Sequence, residues 1–217
     1  MKTDSLVEVG AGFGSETLGS QAVFRCALNA LSQPGRWTRI AHDAHVPANA
    51  NTAAAAVLLA LLDADCSVWA SPTLVAGSAL AWLRFHTGCQ IVTNAAQAHF
   101  AWVAAADAVP ALTQFDWGSD AYPDSACTVI LELDAPGVAA RSSGVGLQST
   151  LLTGPGIATA QRLDVAGLPS DFAAQWKLAH GAFPRGLDVF LAQGDAILGL
   201  PRTTAMAPLA EPLQPGA

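Results

Sequence analysis

Charge is what this chain has least of. Asp, Glu, Lys and Arg make up 12% of its 217 residues, against a usual share of about 25%. Only two lysines occur, Lys2 and Lys177, and the formal net charge is −7. A chain so poor in cations is not a binder of nucleic-acid backbone, which needs clustered Lys and Arg to displace counterions. It has no electrostatic grip on an anionic membrane either. Long apolar runs are also missing: the longest, Thr52 to Leu62, falls short of the ~20 residues that span a bilayer. The N-terminal Met1-Lys2-Thr3-Asp4-Ser5 carries an acidic residue and no apolar core behind it, so it does not read as a signal peptide. Cysteines 26, 66, 89 and 127 stand far apart, with no C-x-x-C pair. Buried free thiols in a reducing, cytosolic compartment are the expectation. There is no G-K-[ST] for a P-loop and no G-x-S-x-G for a nucleophile elbow.

Apolar residues are abundant, at 52%. That proportion implies a large core, or surface that a partner covers. The length fits one domain at ~100–200 residues per domain. Residues 1–18 read as an irregular, Gly-rich tail, 19–204 as a single domain, and 205–217 as a Pro-rich disordered tail. Ser20 is a candidate cap for a helix to about Gln33, with Phe24, Ala27, Leu28 and Leu31 as its apolar stripe. Further helices are expected over Thr52–Leu62, Ser78–Thr87 with Gly88 closing it, Pro110–Phe115 and Pro169–His180. Strands are expected at 37–40, 67–70, 90–93, 99–103, 128–133 and 150–153, with an edge strand within 158–165. Helices and strands interleave throughout, which predicts an α/β fold, a three-layer-like mixed sheet with flanking helices.

The clearest local signal is a hairpin. Two apolar runs, Val189-Phe190-Leu191 and Ile197-Leu198-Gly199-Leu200, flank a Gly194-Asp195 turn. That turn pairs Gln193 with Ala196, Leu191 with Leu198, Val189 with Leu200 and Leu187 with Arg202. Asp188 and Arg202 then share the open end but point to opposite faces by alternation, and a direct ion pair is not implied. Pairing should fray at Pro201. A buried Asp188 would need a partner, and the backbone amides of the Pro184-Arg185-Gly186 turn would serve.

Other constellations are weaker. Gly10-Ala11-Gly12-Phe13-Gly14 resembles a nucleotide loop but has Ser15 where the third glycine belongs, so a tail is the better reading. His42-Asp43-x-His45 has donors at metal-like spacing but no third ligand nearby. Arg84 and His86, two residues apart, cannot act as one clamp on a helix. His86 suits the negative end of the helix dipole, and equally a general base or phosphate donor. Gly154-Pro155-Gly156 and Gly144-Val145-Gly146 fit tight turns as well as close approach to a ligand.

Taken in order, seven segments resemble one family. They are Gln21-x-x-Phe24-Arg25, Leu31-Ser32-x-Pro34-Gly35, Leu61-Leu62-Asp63-x-Asp65-x-x-Val68-Trp69, Leu83-Arg84-Phe85-His86-Thr87, Leu152-Thr153-Gly154-Pro155-Gly156-Ile157, Phe183-Pro184-x-Gly186-x-Asp188 and Leu200-Pro201-Arg202-Thr203-Thr204. Together they resemble the PhnH family, a subunit of the bacterial carbon–phosphorus lyase system, from about Gly12 to Thr204.

The resemblance implies a fold like that of pyridoxal-phosphate-dependent transferases without the cofactor. A Schiff-base enzyme needs an interior lysine, and neither Lys2 in the tail nor Lys177 in mid-helix fits. It further implies a homodimer when isolated, and association with the G, I and J subunits in a cytosolic complex. That complex transfers a phosphonate to the ribose of ATP. The implied role is accessory, with no catalytic residue, no cofactor and no metal. The alternative is a nucleotide- or phosphonate-binding module using Arg25, Arg84, His86 or Arg202, since arginine forks match phosphate geometry. Asp188 joins these four as a candidate ligand or interface residue.

Overall fold

In the computed structural model, residues 10–134 and 147–209 are described. The Gly144-Val145-Gly146 stretch lies outside them. The chain order is α1 (Glu16–Ser32), β1 (Trp37–Arg39), α2 (Thr52–Leu61), β2 (Ser67–Ala70), α3 (Pro72–Ala76), α4 (Ala79–Thr87), β3 (Gln90–Ile91), β4 (Phe100–Val103), β5 (Thr128–Glu132), β6 (Gln148–Thr153), β7 (Gln161–Val165), α5 (Phe172–His180), β8 (Asp188–Gln193), β9 (Ala196–Leu200) and β10 (Ala205–Pro208). Residues Leu112–Gln114 form only a 3₁₀ turn.

Seven strands form one mixed sheet, in the order β1-β9-β8-β5-β4-β2-β3. Neighbours from β8 to β3 pair in parallel, and β9 and β1 pair antiparallel at the other end. β10, β6 and β7 form a second, antiparallel sheet with β7 at its edge. The central strands are covered on both faces, the usual condition of parallel sheets. Ile130 and Phe190 face a core shared with Val57, Leu58, Trp82 and Leu83 of α2 and α4. Val129, Leu131, Val189 and Leu191 face a second core, shared with Leu152 and Leu163 of the small sheet and with Phe172 and Trp176 of α5. Three layers result: helices, the large sheet, and the small sheet with α5.

Local chemistry accounts for the elements. Asn51 caps α2, its side chain accepting from the Ala54 amide at 3.0 Å. Residues Ala53 to Leu58 are all fully buried, as expected of a helix that is apolar all round. Gly88, at φ +74°, closes α4 in the left-handed conformation that glycine adopts without strain. The hairpin register is as the turn predicts, with Gln193 opposite Ala196 and Val189 opposite Leu200.

Three expectations are corrected. α1 begins at Glu16 after Ser15, not at Ser20, so the region read as tail already contains helix. Its buried stripe is Val23, Ala27 and Ala30, while Phe24 and Leu28 are exposed at 45% and 51%. The reason is close approach: Gly199 of β9 lies against the α1 backbone, where an added Cβ would stand 2.6 Å from the Ala30 carbonyl group. Small residues must line that face. Finally, Ala205–Pro208 is strand β10, paired along β6 and hence not disordered.

Candidate functional site

The five residues singled out by sequence fall in three places. Arg25 on α1 and Arg84 on α4 are exposed, and neither side chain makes a hydrogen bond or ion pair with another described residue. Arg84 and His86 end the same helix, as expected. His86 turns inward, its Nε2 2.9 Å from the Gly10 carbonyl oxygen. That oxygen only accepts, so Nε2 carries a proton. Trp82 Nε1 donates to the same oxygen at 3.0 Å. The Gly-rich segment is therefore strapped onto α4.

Asp188 and Arg202 form a direct, forked ion pair, contrary to the opposite-face expectation. Arg202 Nη2 lies 2.6 Å from Asp188 Oδ2, and Nε lies 3.2–3.3 Å from both carboxylate oxygens. The Arg202 amide donates to Oδ1 at 2.8 Å. Alternation fails because Pro201 cannot extend the ladder: the chain turns there, with the Thr204 amide donating to the Pro201 carbonyl oxygen. The expected partners of Asp188 in the 184–186 turn do not serve it: Pro184 has no N–H, Arg185 N donates to Ala182 O and Gly186 N to Trp117 O. The Arg202 guanidinium also donates to the Pro123 carbonyl oxygen. His180 Nδ1 and Trp176 Nε1 reach the Arg202 and Thr204 carbonyl oxygens at 2.9 and 2.7 Å. This corner locks β8, the β9 exit and α5 together, and its arginine fork is already occupied.

A polar cluster that the sequence reading missed sits at the carboxyl ends of β2, β4 and β5. The connections leaving β2 and β4 run in opposite directions along the sheet, and such a point is where open α/β sheets bind ligands. Here it is knitted shut. Ser71 Oγ accepts from the Ala104 amide at 2.9 Å, and Asp107 accepts from both the amide and the hydroxyl of Thr73 at 2.8 Å. Burial raises the Asp107 carboxyl, but hydrogen bonds from Ser71 and Thr73 outweigh it and hold it below the usual range.

Glu132 is 9% exposed, and its Oε1 accepts from the Asn51 amide and Trp102 Nε1, each at 2.8 Å. Burial pushes its carboxyl up, against those hydrogen bonds and with the help of nearby Asp107. The sequence signal was present: a lone carboxylate in an otherwise apolar strand.

Other sequence candidates resolve simply. Asp43 accepts from the Gly14 amide at 3.1 Å, and among the described residues no group of three or more His, Cys, Asp and Glu is placed to hold a metal ion. Gly154 and Gly156 do allow close approach, but to the chain's own backbone. Added Cβ atoms would stand 2.8 Å from the Thr203 oxygen and 2.2 Å from the Ser32 oxygen. No helix among the described residues is long and apolar enough to cross a membrane.

The fold and these sites define a charge-poor, three-layer α/β protein with polar groups concentrated where strands and helices end. A family model described as bacterial phosphonate metabolism protein (PhnH) matches residues 11–207. The chain belongs to that family. It is 35% identical to the alpha-D-ribose 1-methylphosphonate 5-triphosphate synthase subunit PhnH of Rhizobium meliloti (strain 1021), over 95% of this chain and 98% of the relative. It is 31% identical to HtxG of Stutzerimonas stutzeri, described as a C-P lyase subunit protein, over 85% of this chain and 84% of that one.

Proposed function

We propose that this chain is an accessory subunit of a bacterial carbon–phosphorus lyase complex. In that role it supports transfer of an alkylphosphonate to the ribose of ATP during phosphonate catabolism. The observation that carries this reading is end-to-end similarity: 98% of the Rhizobium meliloti synthase subunit is covered at 35% identity. An accessory role also suits the side chains. The Nε–Nη2 edge of Arg202, the one that would grip a phosphate in a fork, is taken by Asp188, and Nη1 donates to the Pro123 carbonyl oxygen. The reading of Arg25, Arg84, His86 and Arg202 as one phosphate-binding set is not favoured, because they stand in three separate places.

In this account Arg25 and Arg84 are subunit contacts. Each lies beside exposed apolar surface: Phe24 and Leu28 near Arg25, and Phe85, 60% exposed, next to Arg84. Such patches are typical of surface that a partner covers. The proposed partners are the G, I and J subunits, with a homodimer as the isolated form, in the cytoplasm. The residues from α1 to β10 act as one domain, a cofactor-free relative of the pyridoxal-phosphate transferase fold.

The test is genetic. The chain should restore growth on methylphosphonate to a bacterium lacking its own subunit of this family. Arg25→Ala and Arg84→Ala should reduce both growth and recovery of the assembled complex. Normal growth and assembly in both variants would remove the proposed contacts; failure of the wild-type chain to complement would count against the subunit reading.

A further inference from the structure

Two of the four cysteines meet at the edge of the large sheet. Cys66 and Cys89 immediately precede β2 and β3, whose parallel register sets Ser67 opposite Gln90 and Val68 opposite Ile91. One step back in that register Cys66 stands opposite Cys89, and the Gln90 amide donates to the Cys66 carbonyl oxygen at 2.9 Å. Neighbouring strands lie about 4.8 Å apart, inside the roughly 4.4–6.8 Å between Cα atoms that a disulfide accepts. Opposed residues point to the same face, and both cysteines pack into the core shared with α2 and α4. Cys89 is close enough that its charge raises the Cys66 thiol.

The two sulfurs differ in access. Cys66 is half-buried and its thiol donates to the exposed Asp63 carboxylate, whereas Cys89 is 1% exposed. Burial raises both thiols; the Asp63 carboxylate adds to the rise at Cys66, while Thr87 and Arg84 work against it at Cys89. Neither is the acidic thiol of a fast peroxide sensor, so the pair suits slower exchange that starts at Cys66. The other two cysteines lie apart. Cys26 on α1 reaches the Arg39 carbonyl oxygen at 3.7 Å, and Cys127 belongs to the core on the opposite face of the sheet.

We propose that Cys66 and Cys89 form a redox pair, a site that takes low-molecular-weight disulfides by thiol–disulfide exchange. Cys66, as its thiolate, attacks one sulfur of the small disulfide. A mixed disulfide forms on Cys66, the small molecule's S–S bond breaks, and one thiolate leaves and takes up the proton that Cys66 lost. Cys89 then gives up its proton and attacks Cys66 Sγ. The Cys66–Cys89 bond forms, and the second small thiolate leaves with that proton. Two protein thiols are oxidised, and one small disulfide is reduced to two thiols. The bridge encloses β2, α3 and α4 and ties β3, an edge strand of two residues, to β2. Closing that loop restricts the unfolded chain and so favours the folded one. The pair is independent of the subunit reading, and its failure would leave that reading untouched.

The test is incubation of the folded, full chain with glutathione disulfide at mildly alkaline pH, where raised thiols begin to ionise. Remaining thiols are then alkylated and the cysteines mapped by mass spectrometry without reduction. A linked Cys66–Cys89 peptide should accumulate, dithiothreitol should reverse it, and the bridged chain should melt at a higher temperature than the reduced one. Cys89→Ser should stop at glutathione on Cys66, and Cys66→Ser should leave Cys89 unmodified. The wild-type map needs no variant, so it decides the matter even where a substitution in the core impairs folding. No modification of Cys66, a wild-type chain that stops at glutathione on Cys66, a bridge between any other two cysteines, a Cys66–Cys89 bridge that forms only in denaturant, or a bridged chain less stable than the reduced one would each overturn the proposal.

Discussion

Removing the Asp188 carboxylate tests whether the hairpin exit is held by charge. The pair is 16% and 23% exposed at its two side chains, and Asp188 satisfies Nε, Nη2 and the backbone amide of Arg202 together. Asp188→Ala therefore strands a largely covered guanidinium and an amide, leaving Pro123 O as the remaining acceptor of that side chain among the described residues. Breaking one partner of a fully buried pair costs roughly 3–5 kcal/mol. Residual exposure places this case at the lower end, about 3 kcal/mol, a sizeable part of the roughly 5–15 kcal/mol that holds a domain folded. Arg202→Ala leaves the better-solvated carboxylate, at a cost of about 2 kcal/mol. Because each single change removes the same contacts, the double variant should cost about 1–2 kcal/mol less than the sum. Urea unfolding followed by tryptophan fluorescence measures all three. A cost below about 1 kcal/mol for Asp188→Ala, or strict additivity in the double variant, would refute the argument.

Glu132 predicts a pH signature. Its folded pKa lies above the ordinary 4.5, so the folded state holds the proton more tightly than the unfolded state. Its contribution to stability is greatest below 4.5 and is lost as pH rises through the raised folded value. The stability difference between wild type and Glu132→Gln, measured by chemical unfolding, should move against wild type over that window; a flat difference contradicts the assignment. Gly199→Ala should destabilise by about 3 kcal/mol or more, because its Cβ meets the α1 backbone at Ala30 and Leu31; a near-neutral melting temperature would contradict the packing. Burial pushes the Cys127 thiol up to about 12, so in thiol-labelling mass spectrometry Cys127 should remain unlabelled until the chain unfolds, while half-buried Cys26 and Cys66 label in the native state.

What could be read from the sequence was whatever short-range chemistry determines. A two-residue Gly194-Asp195 loop fixes the hairpin register, and Gly88 marks the end of α4 because the closing turn takes the left-handed conformation that glycine adopts without strain. The Asp188–Arg202 pair was misjudged because alternation holds only while the ladder continues, and Pro201 ends it. The face of α1 was misassigned for a similar reason. Phe24 and Leu28 are the more apolar residues, yet contact with Gly199 admits only small ones. β10 is short and Pro-terminated, and it becomes a strand only through β6, a partner more than fifty residues away in the chain. Glu132 and Asp107 come together through tertiary structure alone, so neither showed as part of a site. The His86 strap depends on Gly10, 76 residues away, which periodicity cannot reveal.

The central claim is that this chain works as a member of an assembly. Co-expression with the G, I and J subunits from the same source, followed by tag purification and mass determination of the product, tests it most directly. The account predicts a stoichiometric complex that contains this chain and is reduced by Arg84→Ala. Recovery of the chain alone, with the other three subunits assembling fully without it, would contradict it.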